Sequence, residues 1–146
     1  MSIKCSLYEI DKLIDTYNDY LIISLVHIDT IKNKFNDYKI LELSELLSSE
    51  LIKIEQGRRS MGVENIMRNI FSSVNGNNII VNNIDILFNP SYKLDIIKLF
   101  VQLSRNRTVL VQWPGRLDSN ALIYSEPQYE DYKRYSINDY NIICLG

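Results

Sequence analysis

At 146 residues the chain is sized for one domain, residues 1–146, with a core that needs no metal or disulfide staples. A net charge of −2 and a pI near 5.4 argue against a dedicated nucleic-acid coat. Cys5 and Cys144 read as reduced thiols, no run approaches the roughly 20 apolar residues that span a bilayer, and the N-terminus has no secretion signal, so a cytoplasmic protein with no membrane partner is expected.

Ser6-Leu7-Tyr8-Glu9 has capping-box spacing, and Leu7, Ile10, Leu13, Ile14 and Tyr17 then share one helical face. Asn18-Asp19 ends that helix, and a first strand is expected over Tyr20 to Val26. A second strand is expected over Tyr38 to Leu43, with Ser44 capping a helix that ends near Gly57. Arg58-Arg59-Ser60-Met61-Gly62 reads as a linker with a solvated arginine pair. Val63, Ile66, Met67, Ile70, Phe71 and Val74 make the cleanest helical stripe of the chain. Asn75-Gly76 signals a turn, and Asn78 to Val81 a third strand, apolar on both faces as in the middle of a parallel sheet. Asn89-Pro90-Ser91 opens a helix through Leu94, Ile97, Phe100, Val101 and Leu103. A fourth strand, Thr108 to Gln112, runs into Trp113-Pro114-Gly115, and a tyrosine-rich tail ends in a last strand over Tyr140 to Cys144. Strands alternating with helices predict a parallel sheet wrapped by right-handed crossovers.

The first strand arrives where P-loop domains turn into G-x-x-x-x-G-K-[ST], yet His27 to Phe35 contains no glycine. Glycines there let backbone N–H groups curl around phosphate oxygens, and a lysine then reaches the outer phosphates. Only twelve residues, His27 to Tyr38, separate Val26 from Lys39, enough for one short helix and too few for a phosphate loop, a helix of about three turns and a return. At the end of the third strand, where such domains place the aspartate that seats Mg²⁺, stand Asn82 and Asn83. An amide brings no charge to a divalent cation beside phosphates. Asp85 would substitute only if the strand ran longer. The expectation is a reduced three-layer α/β core of the P-loop NTPase type (RecA/AAA-like), its phosphate-binding loop lost. No catalytic residue, metal ligand set or cofactor is expected.

Other positions allow two readings each. Arg105 and Arg107 flank the turn into the fourth strand: they are either contacts to a neighbour's nucleotide or to DNA phosphates, or cations suited to a helix C-terminus. Arg116 follows that strand, so it belongs to the opposite edge of a parallel sheet, which counts against one shared DNA-binding patch. Trp113 either lines a pocket with Gln112 or plugs the top of the sheet. His27, the single histidine, has only Asp29 close by. Tyr124, Tyr129, Tyr132, Tyr135 and Tyr140 form either a docking stripe, led by Tyr129 and Tyr132, or a tail folded over its own sheet.

Phe88-Asn89-Pro90, Leu94-Asp95, Leu103-Ser104-Arg105-Asn106-Arg107-Thr108, Trp113-Pro114-Gly115-Arg116 and Tyr124-Ser125-Glu126-Pro127 form an ordered series. Between Asn78 and Tyr135 the chain resembles BrxF, the small P-loop protein of type III BREX phage-defence systems. The resemblance implies a compact RecA/AAA-like core and a place in a multiprotein bacterial defence complex, whose other BREX proteins would be the partners, with a homo-oligomer also allowed. The glycine-rich loop and the acid at position 82 are departures from it. The expected function is therefore a noncatalytic scaffold or regulatory subunit. The alternatives are an NTP-binding or ATPase subunit completed in trans, with Arg105 or Arg107 offered to a neighbour, or a DNA-binding module.

Overall fold

Alternation along the apolar strands decides the layering. The computed structural model describes Met1 to Gly146 throughout. It holds nine strands: β1 (Ser2–Cys5), β2 (Leu21–Ser24), β3 (Lys39–Glu42), β4 (Asn78–Asn82), β5 (Thr108–Gln112), β6 (Arg116–Asp118), β7 (Ala121–Tyr124), β8 (Lys133–Ser136) and β9 (Ile142–Leu145). Six of them form one sheet in the order β1-β9-β2-β5-β4-β3, with every pair parallel. The five helices are α1 (Ile10–Thr16), α2 (Ile28–Lys34), α3 (Leu43–Leu51), α4 (Arg59–Ser73) and α5 (Ile96–Leu103).

Ile23, Val81, Val111 and Cys144 face one way, into the larger core under α3, α4 and α5. Their neighbours Ile22, Ile80, Leu110 and Ile143 face the other way, where Ile10, Ile31 and Phe35 bring α1 and α2 against the sheet. Successive residues of a strand point to opposite faces, so interior strands flanked by helices must be apolar at every position. The result is three layers, helix–sheet–helix. No helix is long and apolar enough to cross a membrane.

Several elements differ from the sequence expectation. Strand β1 precedes the first helix and pairs with β9 from the far end of the chain. The first helix begins only at Ile10: Glu9 accepts the Ser6 N–H at 3.2 Å and the Ser6 hydroxyl at 3.0 Å, which closes a turn before α1 rather than capping it. Ser44 is no cap either, since its hydroxyl donates to the Asn83 carbonyl at 2.7 Å and ties α3 to the end of β4. The presumed linker at Arg58–Gly62 is helical. α4 starts at Arg59, whose Nε donates to the Ile54 carbonyl at 3.2 Å, and burial of Val63, Ile66, Met67 and Phe71 outweighs the helix penalty of Gly62. Asn89-Pro90-Ser91 makes only a 3-10 turn, which left-handed Lys93 (φ 51°) ends; α5 begins later, capped by Asp95. The tail contains an antiparallel sheet, β6-β7-β8, that the sequence reading left out.

The two cysteines do come to neighbouring strands. The β1–β9 register sets Lys4 beside Cys144 and Cys5 beside Leu145. Cys5 therefore lies under α1 and α2 while Cys144 belongs to the opposite core, and both thiols are free and buried.

Candidate functional site at the carboxyl edge of the sheet

Open α/β sheets gather ligands outside the carboxyl ends of their strands. At that edge four polar side chains stand level on the α2 face: Ser24 of β2, Gln112 of β5, Asn82 of β4 and Glu42 of β3. The register fixes the row. Ser24 is opposite Gln112, Val111 is opposite Val81 so that Gln112 and Asn82 come next in line, and Asn82 is opposite Glu42. A same-face position follows from period 2, since Ile22, Leu110 and Ile80 two residues earlier all pack on the α1–α2 side.

Most of these polar groups are bonded to one another or to backbone close by. Glu42 accepts the Asn82 amide at 3.3 and 3.4 Å and also the Asn83 amide, and Lys32 of α2 places its ammonium 3.6 Å away. Gln112 Nε2 donates to the Val26 carbonyl at 2.8 Å, while its Oε1 is buried and takes no bond. The Ser24 hydroxyl donates to the Val26 carbonyl at 3.3 Å and accepts the Val26 N–H at 3.2 Å, which curls the chain at the end of β2.

Beyond Val26 the chain enters α2 directly. His27 is its N-cap, with Nδ1 accepting the Asp29 N–H at 3.2 Å, and the Asp29 carboxylate lies in the first turn. A phosphate cradle needs free N–H groups and tolerates no competing anion. Here one N–H is already capped and a carboxylate sits at the helix start. The residues present do not fit a magnesium–nucleotide group: one carboxylate stands in the row, and two amides and a lysine already hold it. No group of three or more His, Cys, Asp or Glu residues comes together elsewhere as a metal site.

Asn82 is the last residue of β4, and Asn83 follows in the left-handed region (φ 57°), so the strand stops there. Asp85 consequently falls in a 3-10 turn, where its carboxylate accepts the Tyr124 hydroxyl at 3.3 Å, away from the row. Trp113 is buried and donates Nε1–H to the Ile123 carbonyl at 3.0 Å. Its ring meets Phe88 and Tyr135 edge-on, at 5.6 and 6.1 Å between centroids. It plugs the top of the sheet and anchors the β6-β7-β8 sheet.

Arg105 and Arg107 lie at the amino edge, at the opposite end of β5 from this row. Arg107 donates to the Phe71 and Val74 carbonyls at 2.6 and 2.9 Å and so caps the C-terminus of α4. Arg116, on β6 beyond the carboxyl end of β5, pairs with Glu126 at 3.3 Å. The tyrosines of the tail divide between the two readings. Tyr124 stacks on Phe88 at 3.7 Å, buried Tyr135 accepts the Ile96 N–H at 3.1 Å, and Tyr140 donates to Asp95. Tyr129 is exposed and Tyr132 half-buried. Glu42 and Lys32 carry no sequence signal of their own, because only the β3–β4 register places position 42 beside position 82.

Comparison with protein-family models, curated proteins and solved structures finds no significant match.

Proposed function

We propose that this chain is a noncatalytic scaffold or regulatory subunit of a BREX-type phage-defence complex, a P-loop-like domain whose nucleotide site has been converted into a structural seam. The observation that carries the reading is the occupied polar edge: Glu42 holds the Asn82 and Asn83 amides and Lys32, while Ser24 and Gln112 bond Val26. Counted in chain order from β2, the strands β9, β2, β5, β4 and β3 stand as 5-1-4-3-2, an order that suits a RecA/AAA-like core and puts the row where the phosphates would lie. Lys32 is drawn to Glu42 rather than left free for phosphate. The site would work by holding α2 and the strand ends rigid, so that outer surfaces are presented to other subunits in the cytoplasm.

The test is thermal unfolding of the purified protein with and without saturating Mg²⁺–ATP. A nucleotide at a hundred times its Kd would stabilise the fold by about 2.7 kcal/mol, a shift of several degrees for a domain of this size. An unchanged melting temperature is expected, and a clear rise would overturn the reading.

A second reading draws on one observation, the 3.6 Å Lys32–Glu42 pair, which brings a cation and an acid together at the carboxyl edge. In it the chain is an NTP-binding subunit whose site a partner completes. ATPase activity of a reconstituted complex that falls on Glu42→Gln would favour this over the scaffold.

A further inference from the structure

At the opposite edge of the sheet α4 and α5 leave a groove of about 350 Å³ where the chain turns into β5. Arg68, Arg105 and Arg107 line it with no acidic residue among the lining side chains, and Phe71 and Leu103 give it an apolar component. Three of the chain's seven arginines thus meet on a protein whose net charge is −2. Helix C-termini attract cations, and that accounts for one of them: Arg107 is bound to α4 carbonyls. Of the other two, only Arg105 is left without a partner. Arg68 is held across the groove by Gln102, at 3.1 Å, with Glu64 at 3.9 Å behind it, and exposed Arg105 has neither an ion pair nor a hydrogen bond.

We propose that this groove is a docking site for a short acidic peptide segment of a partner protein, with Arg105 and Arg68 gripping its carboxylates. Planar guanidinium groups take carboxylates two-pronged, and arginine clusters serve this purpose in known recognition modes. The surroundings favour a peptide over a nucleic acid. Along the same amino edge lies a second hollow, about 540 Å³, where Asp11, Asp15 and Asp37 outnumber Lys34, itself paired with Asp11, and Asp19 lines the cleft between the two beside Arg107. A duplex, which carries a charge every ~1.7 Å, would run into those carboxylates, whereas a short segment ends before reaching them. The inference deepens the scaffold reading by naming a partner-facing surface, and it rests on that reading only in assigning the segment to a partner.

The experiment is fluorescence anisotropy of a labelled oligoglutamate peptide, with a labelled DNA duplex in parallel, on the intact protein at low and high salt. The peptide is expected to bind at low salt and weaken as salt rises. Arg105→Ala should raise its Kd about tenfold, the usual cost of one charge-assisted bond. Arg116→Ala, at the far edge, should leave it unchanged. Because the Arg105 side chain is exposed and unbonded, the Arg105→Ala protein should melt like the parent, so lost binding is not lost fold. Any of four results overturns the proposal: no peptide binding at low salt; equal weakening by Arg105→Ala and Arg116→Ala; tighter binding of the duplex through Arg105; or Arg105-dependent self-association in place of peptide binding, which would make a second copy the occupant. None of these readouts depends on nucleotide, so the groove and the lost phosphate site stand or fall separately.

Discussion

Gly115 has no room for a side chain. A Cβ built there would lie 1.8 Å from the Ile123 carbonyl oxygen and 3.0 Å from the Trp113 indole nitrogen, the two atoms that bond each other. Gly115→Ala should therefore cost about 3 kcal/mol by forcing β7 backbone away from the plug, read as a lowered urea midpoint. An unchanged midpoint would show that the β5–β6 connection shifts freely past β7. Trp-Pro-Gly is thus a packing device: the indole closes the sheet and the glycine lets a neighbouring strand pass against it. Its role as a plug and the amide character of positions 82 and 83 were legible in sequence, because both depend on residue type at a strand end. The engagement of Arg107 with α4 was readable only as a general preference of cations for helix ends. The bond between Glu42 and Asn82 was not legible at all, since it depends on which strands are neighbours.

The helices show how caps and packing share control. Asp95 begins α5 by accepting the Lys98 N–H at 3.0 Å, and the same carboxylate takes the Tyr140 hydroxyl at 3.0 and 3.2 Å. Asp95→Ala should destabilise the protein by about 1–2 kcal/mol, the range for a lost N-cap, with Asp95→Asn closer to wild type because the amide oxygen can still accept. Chemical denaturation of the pair would check it, and equal losses would mean that charge rather than capping is at stake. The sequence placed this helix start at Pro90, a favoured first-turn residue. A local Asn89–Ser91 turn and left-handed Lys93 intervene, so the competing short-range bonds won. The long stripes of α4 and α5 were readable because 3.6-residue periodicity needs no distant partner. Strands β1 and β6 to β8 were not: they are three or four residues long, all but β7 are rich in polar residues, and they acquire meaning only from the strands they pair with.

Across the whole molecule, burial leaves an alkaline signature. Tyr38 is pushed up to about 12, first by desolvation and then by Asp37, Asp11 and Asp15. Tyr135 also reaches about 12 by burial, with the Ile96 N–H pulling partly the other way. Tyr140 is raised as well, by burial and then by Asp95. In the unfolded chain these phenols ionise near 10, so above that pH the folded state binds more protons than the unfolded one. Stability is full below about pH 10 and is lost progressively as pH rises to about 12. Denaturant titrations across that interval should show the midpoint falling, with tyrosinate absorbance rising together with unfolding. Ionisation of every tyrosine without unfolding would contradict it. At this scale the alternation of strands and helices was enough to read an α/β layering, while strand order and the second, antiparallel sheet required tertiary pairing.

Strand β9 lies between β1 and β2 although it is made from residues 142–145. Until those residues have left the ribosome, β1 has no neighbour and β2 lacks one flank, so synthesis must run to the last of the nine strands before the central sheet can close. Nascent intermediates will display raw strand margins until β9 emerges, which favours closure of the sheet in one late step over stepwise folding from the N-terminus.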